Sequence, residues 1–132
     1  MKGLIENLAE VIGYPERVPE GAMSFTFKVD DDPVRMRVID GRLVMEWRFP
    51  AEASAERLAT YATGRILREE ATVAWDPAAE CALLWQSASK SADAAGLKKA
   101  FADFLNSRDW WKARVKELSA PKARLTDMII TP

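Results

Sequence analysis

Asp30-Asp31-Asp32 is the densest run of acids in a 132-residue chain that contains no histidine and one cysteine. Three adjacent carboxylates could hold a hard cation. Placed before Pro33, they have the make-up of a solvated turn, which is the reading adopted. Glu69-Glu70 reads as a solvated helix end. Without histidine, the commonest general base and metal ligand is missing. With Cys81 alone, neither an internal disulfide nor an ordinary zinc site can be assembled. Cys81 lies in the apolar run CALLW and reads as a small buried hydrophobe. Neither a G-x-x-x-x-G-K-[ST] loop nor a G-x-G-x-x-G turn occurs, so no nucleotide is expected. No catalytic, metal or cofactor residue is assigned, and the chain is not expected to be an enzyme. An enzyme would need carboxylates held protonated in a cleft, for example Glu46 beside a second acid.

The remaining chemistry is that of contact. Lys28, Arg35, Arg37, Arg42 and Arg48 alternate along one stretch and could form a basic sheet face. Such a face with exposed aromatics binds single-stranded nucleic acid. Here Phe25, Phe27, Trp47 and Phe49 alternate onto the opposite face, so nucleic acid is not the expected partner. Cross-strand pairing with acids is the simpler role for these basic residues. Five tryptophans in 132 residues is rich. Trp110 and Trp111 are adjacent, and neighbours on a helix point about 100° apart. Trp111 fits an apolar stripe. Trp110 falls at its border and is left to contact the C-terminal tail, a second subunit or a partner.

These residues must be positioned by a small set of elements. Leu4, Leu8, Val11 and Ile12 share one face of a first helix over about 2–13, stopped by Gly13 and Pro15. The period then becomes two. Met23, Phe25, Phe27 and Val29 alternate with Ser24, Thr26 and Lys28. Beyond the aspartate turn, Val34, Met36 and Val38 alternate with Arg35 and Arg37. Asp40-Gly41 is a type I′ hairpin signal, followed by inward Leu43, Met45, Trp47 and Phe49. Three strands thus form an antiparallel meander with one apolar face and one basic face. Ser54 can cap a second helix at about 55–68, with small apolar positions and Gly64 inside it. Two strands follow at 72–75 and 81–86, joined by DPAAE and apolar enough to be buried on both faces. A third helix runs from about Ala94 to Leu118, its stripe being Leu97, Phe101, Phe104, Trp111, Val115 and Leu118. Arg108 interrupts that spacing and is expected to lay its stem on apolar surface. The expected organisation is one α+β domain over 1–118 and a docked tail over 119–132.

A chain of this length can bury roughly two-thirds of its unfolded surface. With 48% hydrophobic and 30% charged residues it is an ordinary globular composition. The net charge of −1 gives no global attraction to nucleic acid or an anionic membrane. Glu6 and Glu10 break the apolar N-terminal stretch, which argues against a signal peptide. No run approaches the roughly 18 apolar residues of a membrane span. A cytoplasmic location is expected.

The order helix, three strands, helix, two strands, helix resembles the class I type III secretion chaperones, the Tir-chaperone-like group. LIENLAEVIGYP is similar to their first helix and its proline-bearing loop. VAWDPAAECALLWQ resembles their strand–turn–strand pair. LKKAFADFLNSRDWWKARVKEL resembles their last helix, which carries a tryptophan a few residues before a final leucine, here Trp111 and Leu118. The resemblance implies a twisted antiparallel sheet packed by helices, in a bacterial cytosolic homodimer without enzyme activity. Such a dimer holds an extended N-terminal segment of a secreted effector protein and keeps it soluble and competent for secretion. It further implies a partner-binding groove using Leu4, Leu8, Phe25, Phe27 and Met45, and a dimer interface using Leu58, Ala59, Ala62 and Trp75. The basic sheet face, Gly64 and the tail beyond Ser119 depart from the family pattern. A sensory-regulator-like family shares this fold, so an adaptor for a cytosolic protein partner is the alternative.

Overall fold

In a computed structural model of the chain, residues 3–50, 58 and 71–130 are described, 117–130 by their backbone alone. Helix α1 is Leu4–Ile12. Strands β1 (Ser24–Val29), β2 (Asp32–Ile39) and β3 (Arg42–Arg48) form the meander. Strands β4 (Thr72–Asp76) and β5 (Cys81–Ser87) follow, and helix α2 is Ala94–Ile130. The expected second helix, with Ser54, Ala55, Ala59, Ala62, Gly64 and Ile66, lies outside the described residues. Leu58 is described and is fully buried in the core.

Helix α1 ends where expected. Gly13 takes a left-handed conformation with φ +70°. The amide of Gly13 donates to the Glu10 carbonyl and that of Tyr14 to the Ala9 carbonyl, which satisfies the last turn. The buried face of α1 is carried by Ile5, Leu8 and Ala9, whereas Leu4, Val11 and Ile12 are half-buried. The helix is thus rotated from the expected stripe, toward the side on which Ile5 adds its bulk to Leu8. At its start, Glu6 Oε1 accepts from the amides of Gly3 at 3.2 Å and Gly21 at 2.8 Å. That carboxylate ties the incoming loop to the helix.

The sheet is five-stranded with order β1-β2-β3-β5-β4, and each neighbouring pair is antiparallel. Strand β5 inserts between β3 and β4, so β3 and β4 run parallel and β1 and β4 are the two edges. Asp40-Gly41 forms the expected hairpin turn, with φ +51° and +74°. The aspartate turn is of the same kind but tighter than expected. Asp30 and Asp31 carry the positive φ values, +53° and +64°, and Asp32 already belongs to β2. Asp76 accepts from the amides of Ala78 and Ala79 and so shapes the β4–β5 turn.

One sheet face carries Phe27, Val34, Met36, Leu43, Met45, Trp47 and Leu84, all buried, and packs with α1 and α2 into a single core. Leu97, Phe101, Phe104, Trp111 and Val115 of α2 are buried as the stripe requires. Phe27 stacks on Tyr14 with ring centroids 4.4 Å apart, and Phe49 meets Trp111 edge-on at 5.5 Å. Two expectations are corrected. Strands β4 and β5 are not buried on both faces: β4 is an edge, and Trp75 and Trp85 are 51% and 36% exposed. Helix α2 does not end near Leu118, since its backbone stays helical to Ile130. The side chains on which the expected docking of the tail would rest lie outside those described.

Arg108 is buried, and its head is occupied as well as its stem. It donates to Asp109 Oδ1 at 2.8 Å and to the Val29 carbonyl at 3.4 Å, and lies 3.5 Å from Asp32. Lys112 donates to the same Asp32 carboxylate at 3.2 Å. The aspartate turn is therefore clamped onto α2 by charge-assisted bonds.

Candidate functional site

The register identifies which backbone groups β1 leaves open. The amide of Val38 donates to the Met23 carbonyl, and Ser24 pairs with Arg37, so the ladder bonds use Met23, Phe25, Phe27 and Val29. In an antiparallel pair the alternate residues turn the other way. Ser24, Thr26 and Lys28 thus present their N–H and C=O groups to the outer edge. The Lys28 amide is taken by the Tyr14 hydroxyl at 3.0 Å. The N–H and C=O of Ser24 and Thr26 and the C=O of Lys28 have no partner among the described residues. This is a strand edge capped at one end and open at the other, which is the template a further strand requires.

Apolar surface adjoins the open end. Met23 is 63% exposed, and Phe25 is half-buried with its ring edge-on to Tyr14 and Phe27. Leu4 is also half-buried against the core. Leu8, Phe27 and Met45 are fully buried, so in this conformation their side chains offer no surface to a partner. Of the five groove residues expected, Leu4 and Phe25 are accessible. Met23 and Tyr14, which sequence reasoning did not single out, stand beside Phe25. Their signal was present, since Met23 heads the same period-two run and Tyr14 follows the helix stop.

The opposite edge has the same logic. Phe49 donates to the Ala82 carbonyl and Ala88 to that of Leu43, so β5 uses its even residues toward β3 and its odd residues toward β4. Val73 and Trp75 then turn their backbone groups outward at the β4 edge. Of the expected dimer residues, Trp75 lies on this exposed edge, Leu58 is in the core, and Ala59 and Ala62 are outside the described residues. Trp110 is half-buried against the core, edge-on to Trp111 at 5.0 Å, with the Arg114 guanidinium 4.8 Å over its ring.

No cluster of three or more histidine, cysteine, aspartate or glutamate side chains is placed to hold a metal among the described residues. Glu46, the acid singled out as a candidate for catalysis, is bound to Arg37 at 3.2 Å. No described helix is long and apolar enough to cross a membrane.

No protein-family model matches the sequence, and no curated protein matches it either. Solved structures do match. A chain from the HopA1–SchA chaperone–effector complex superposes with a TM-score of 0.67 at 14% identity, covering 83% of this chain and 91% of that one. A chain of the ExsC–ExsE complex gives 0.64 at 15% identity, with 83% and 89% covered. A chain of the ExoT–SpcS complex from Pseudomonas aeruginosa gives 0.57 at 16% identity, with 80% and 90% covered. At these identities the likeness is one of fold. The α+β fold implied by the secretion-chaperone resemblance is the fold found: a helix, a five-stranded antiparallel sheet and a C-terminal helix.

Proposed function

We propose that this protein is a non-enzymatic secretion chaperone that binds an extended segment near the N-terminus of a secreted effector protein. The observation that carries the reading is the β1 edge, open at Ser24 and Thr26 beside accessible Met23 and Phe25. The fold shared with a chain of a chaperone–effector complex supports it. An extended client adds a strand to β1 through main-chain hydrogen bonds, and its alternate apolar side chains meet Phe25, Met23 and Leu4. Held this way, the segment stays unfolded and its aggregation-prone surface is covered, so it remains soluble and competent for secretion. The reading places the protein in the cytoplasm as a homodimer. The outward backbone of Val73 and Trp75 and the exposed indole of Trp75 form part of the seam, which Ala59 and Ala62 complete.

Thr26→Pro tests the edge. Its amide points away from β2, so proline removes a donor the isolated chain does not use, at a position where edge strands tolerate it. The expected result is a folded dimer that no longer retains the client. Full retention by this variant would contradict strand addition at β1.

A further inference from the structure

The sheet face opposite the helices carries a second surface, chemically unlike the β1 edge. Register places Arg35 beside Glu46 and Glu46 beside Trp85 in one row across β2, β3 and β5. The adjoining row pairs Arg48 with Leu83. On the other side Arg37 pairs with Val44. Cations on β2 and β3 thus run alongside an apolar strip formed by Val44, Leu83 and Trp85. Two hollows of ≈ 430 and ≈ 520 Å³ occupy this face and share Arg37 and Glu46 as common walls. Among the described residues the cross-strand neutralisation expected of the basic residues is met once, by Arg37 on Glu46. Arg35 and Arg48 are exposed and have no hydrogen bond or ion pair among the described residues.

We infer that this face binds a protein segment in which carboxylates neighbour apolar side chains. The Arg35 and Arg48 guanidiniums, unpaired among the described residues, take the carboxylates, and Trp85 with Leu83 takes the apolar groups. The charge pattern favours such a segment over a nucleic acid. Asp40, Glu46 and Asp76 line the hollows among the cations Arg37, Arg42 and Lys90, so a backbone with a phosphate at every step would meet acids as well as cations along the face. A protein segment can place its acids on Arg35 and Arg48 alone. The inference rests on the chemistry of this face, whose larger hollow reaches Thr26 of β1 and Trp75 of β4.

The probe is a short soluble peptide of glutamate and leucine in equal number. Its comparators are the same peptide with lysine for glutamate, and an oligothymidylate. Binding is followed by tryptophan emission and by a fluorescent label on the probe. The glutamate peptide is expected to bind, to shift the emission of the wild-type chain more than that of Trp85→Phe, in which Trp75 still reports on the face, and to weaken with salt. The double variant Arg35→Glu/Arg48→Glu, changed only at exposed side chains, is expected to lose about tenfold in affinity or more. Met23→Ser, changed at the β1 edge at a residue that lines neither hollow, is expected to bind the peptide normally, which separates this surface from the β1 edge. Equal binding of the lysine peptide, an unchanged affinity in the double variant, or preferential binding of oligothymidylate would each overturn the inference.

Discussion

Trp111 shows how one side chain is pulled by two effects of similar size. Its ring is buried between Phe49 and Trp110, yet its Nε1–H is buried without an acceptor among the described residues. An unsatisfied buried donor costs about 1–3 kcal/mol. Removing a whole buried tryptophan side chain costs about 3–5 kcal/mol. Trp111→Phe removes the orphan donor while keeping most of the ring, so its two effects oppose. Chemical denaturation should show a loss below about 1.5 kcal/mol for Trp111→Phe and at least about 3 kcal/mol for Trp111→Ala. A Trp111→Phe loss well above that bound would mean that the indole N–H is satisfied in solution. Trp110 and Trp111 therefore have separate roles despite their adjacency: one is core, and the other borders the core under the Arg114 guanidinium.

Arg108 is the residue that sequence reading handled least well. Its position in the stripe was visible, but its partners Asp30 and Asp32 lie more than seventy residues away and are brought together only by packing of the β1–β2 turn on α2. Removing one member of a buried charged network leaves the others without their partner, and Arg108→Ala is expected to cost about 2–4 kcal/mol. Arg108→Lys should recover little of it, because an ammonium cannot reproduce the fork that reaches Asp109, Asp32 and Val29 at once. Full recovery by lysine would show that the charge alone matters.

At the scale of elements, the signals that survived were those with a single local cause. Gly13 stops α1, Asp40-Gly41 turns the second hairpin, and alternation sets which face of each meander strand is buried. Gly13 has open space where a Cβ would stand, so Gly13→Ala costs only the left-handed backbone, about 1 kcal/mol by thermal or urea unfolding. Asp31 has a positive φ and an exposed side chain, and Asp31→Gly should stabilise the chain by about 0.5 kcal/mol. A loss on this substitution would show that its side chain contributes beyond the turn. Elements whose setting is decided by distant neighbours were less legible. Apolar density in β4 and β5 cannot distinguish an edge from a centre, because the insertion of β5 between β3 and β4 is a property of the whole sheet. The stripe of α2 ends near Leu118 in the sequence, while its backbone continues past Pro121, whose missing amide removes one helical bond.

At the scale of the whole molecule, α1 and α2 cover one face of the sheet, and among the described residues two strand edges and one mixed cationic and apolar face are left uncovered. The order of elements made the fold legible, and with it a resemblance that comparison with solved structures supports at the level of fold. The candidate site was legible only in part. Period-two alternation identifies Phe25, Phe27 and Met45 as apolar, but not that helix packing seals Phe27 and Met45 while Phe25 stays at the rim. In the account proposed here the two edges divide the work, β4 with Trp75 toward a second copy and β1 toward the client. Trp75→Glu should therefore move the protein from dimer to monomer in light scattering after size-exclusion chromatography. A variant that stayed dimeric would place the seam elsewhere.

The most direct measurement is affinity purification of the tagged protein from its native cell, wild type beside Thr26→Pro, with cross-linking to locate the contact on whatever is retained. The account predicts one stoichiometric partner on the wild type, cross-linked through a segment near its own N-terminus to residues around Met23 and Phe25, and lost from Thr26→Pro. A partner held equally by both proteins, or cross-linked through a folded domain far from β1, would contradict the claim that this strand edge is where a client is held.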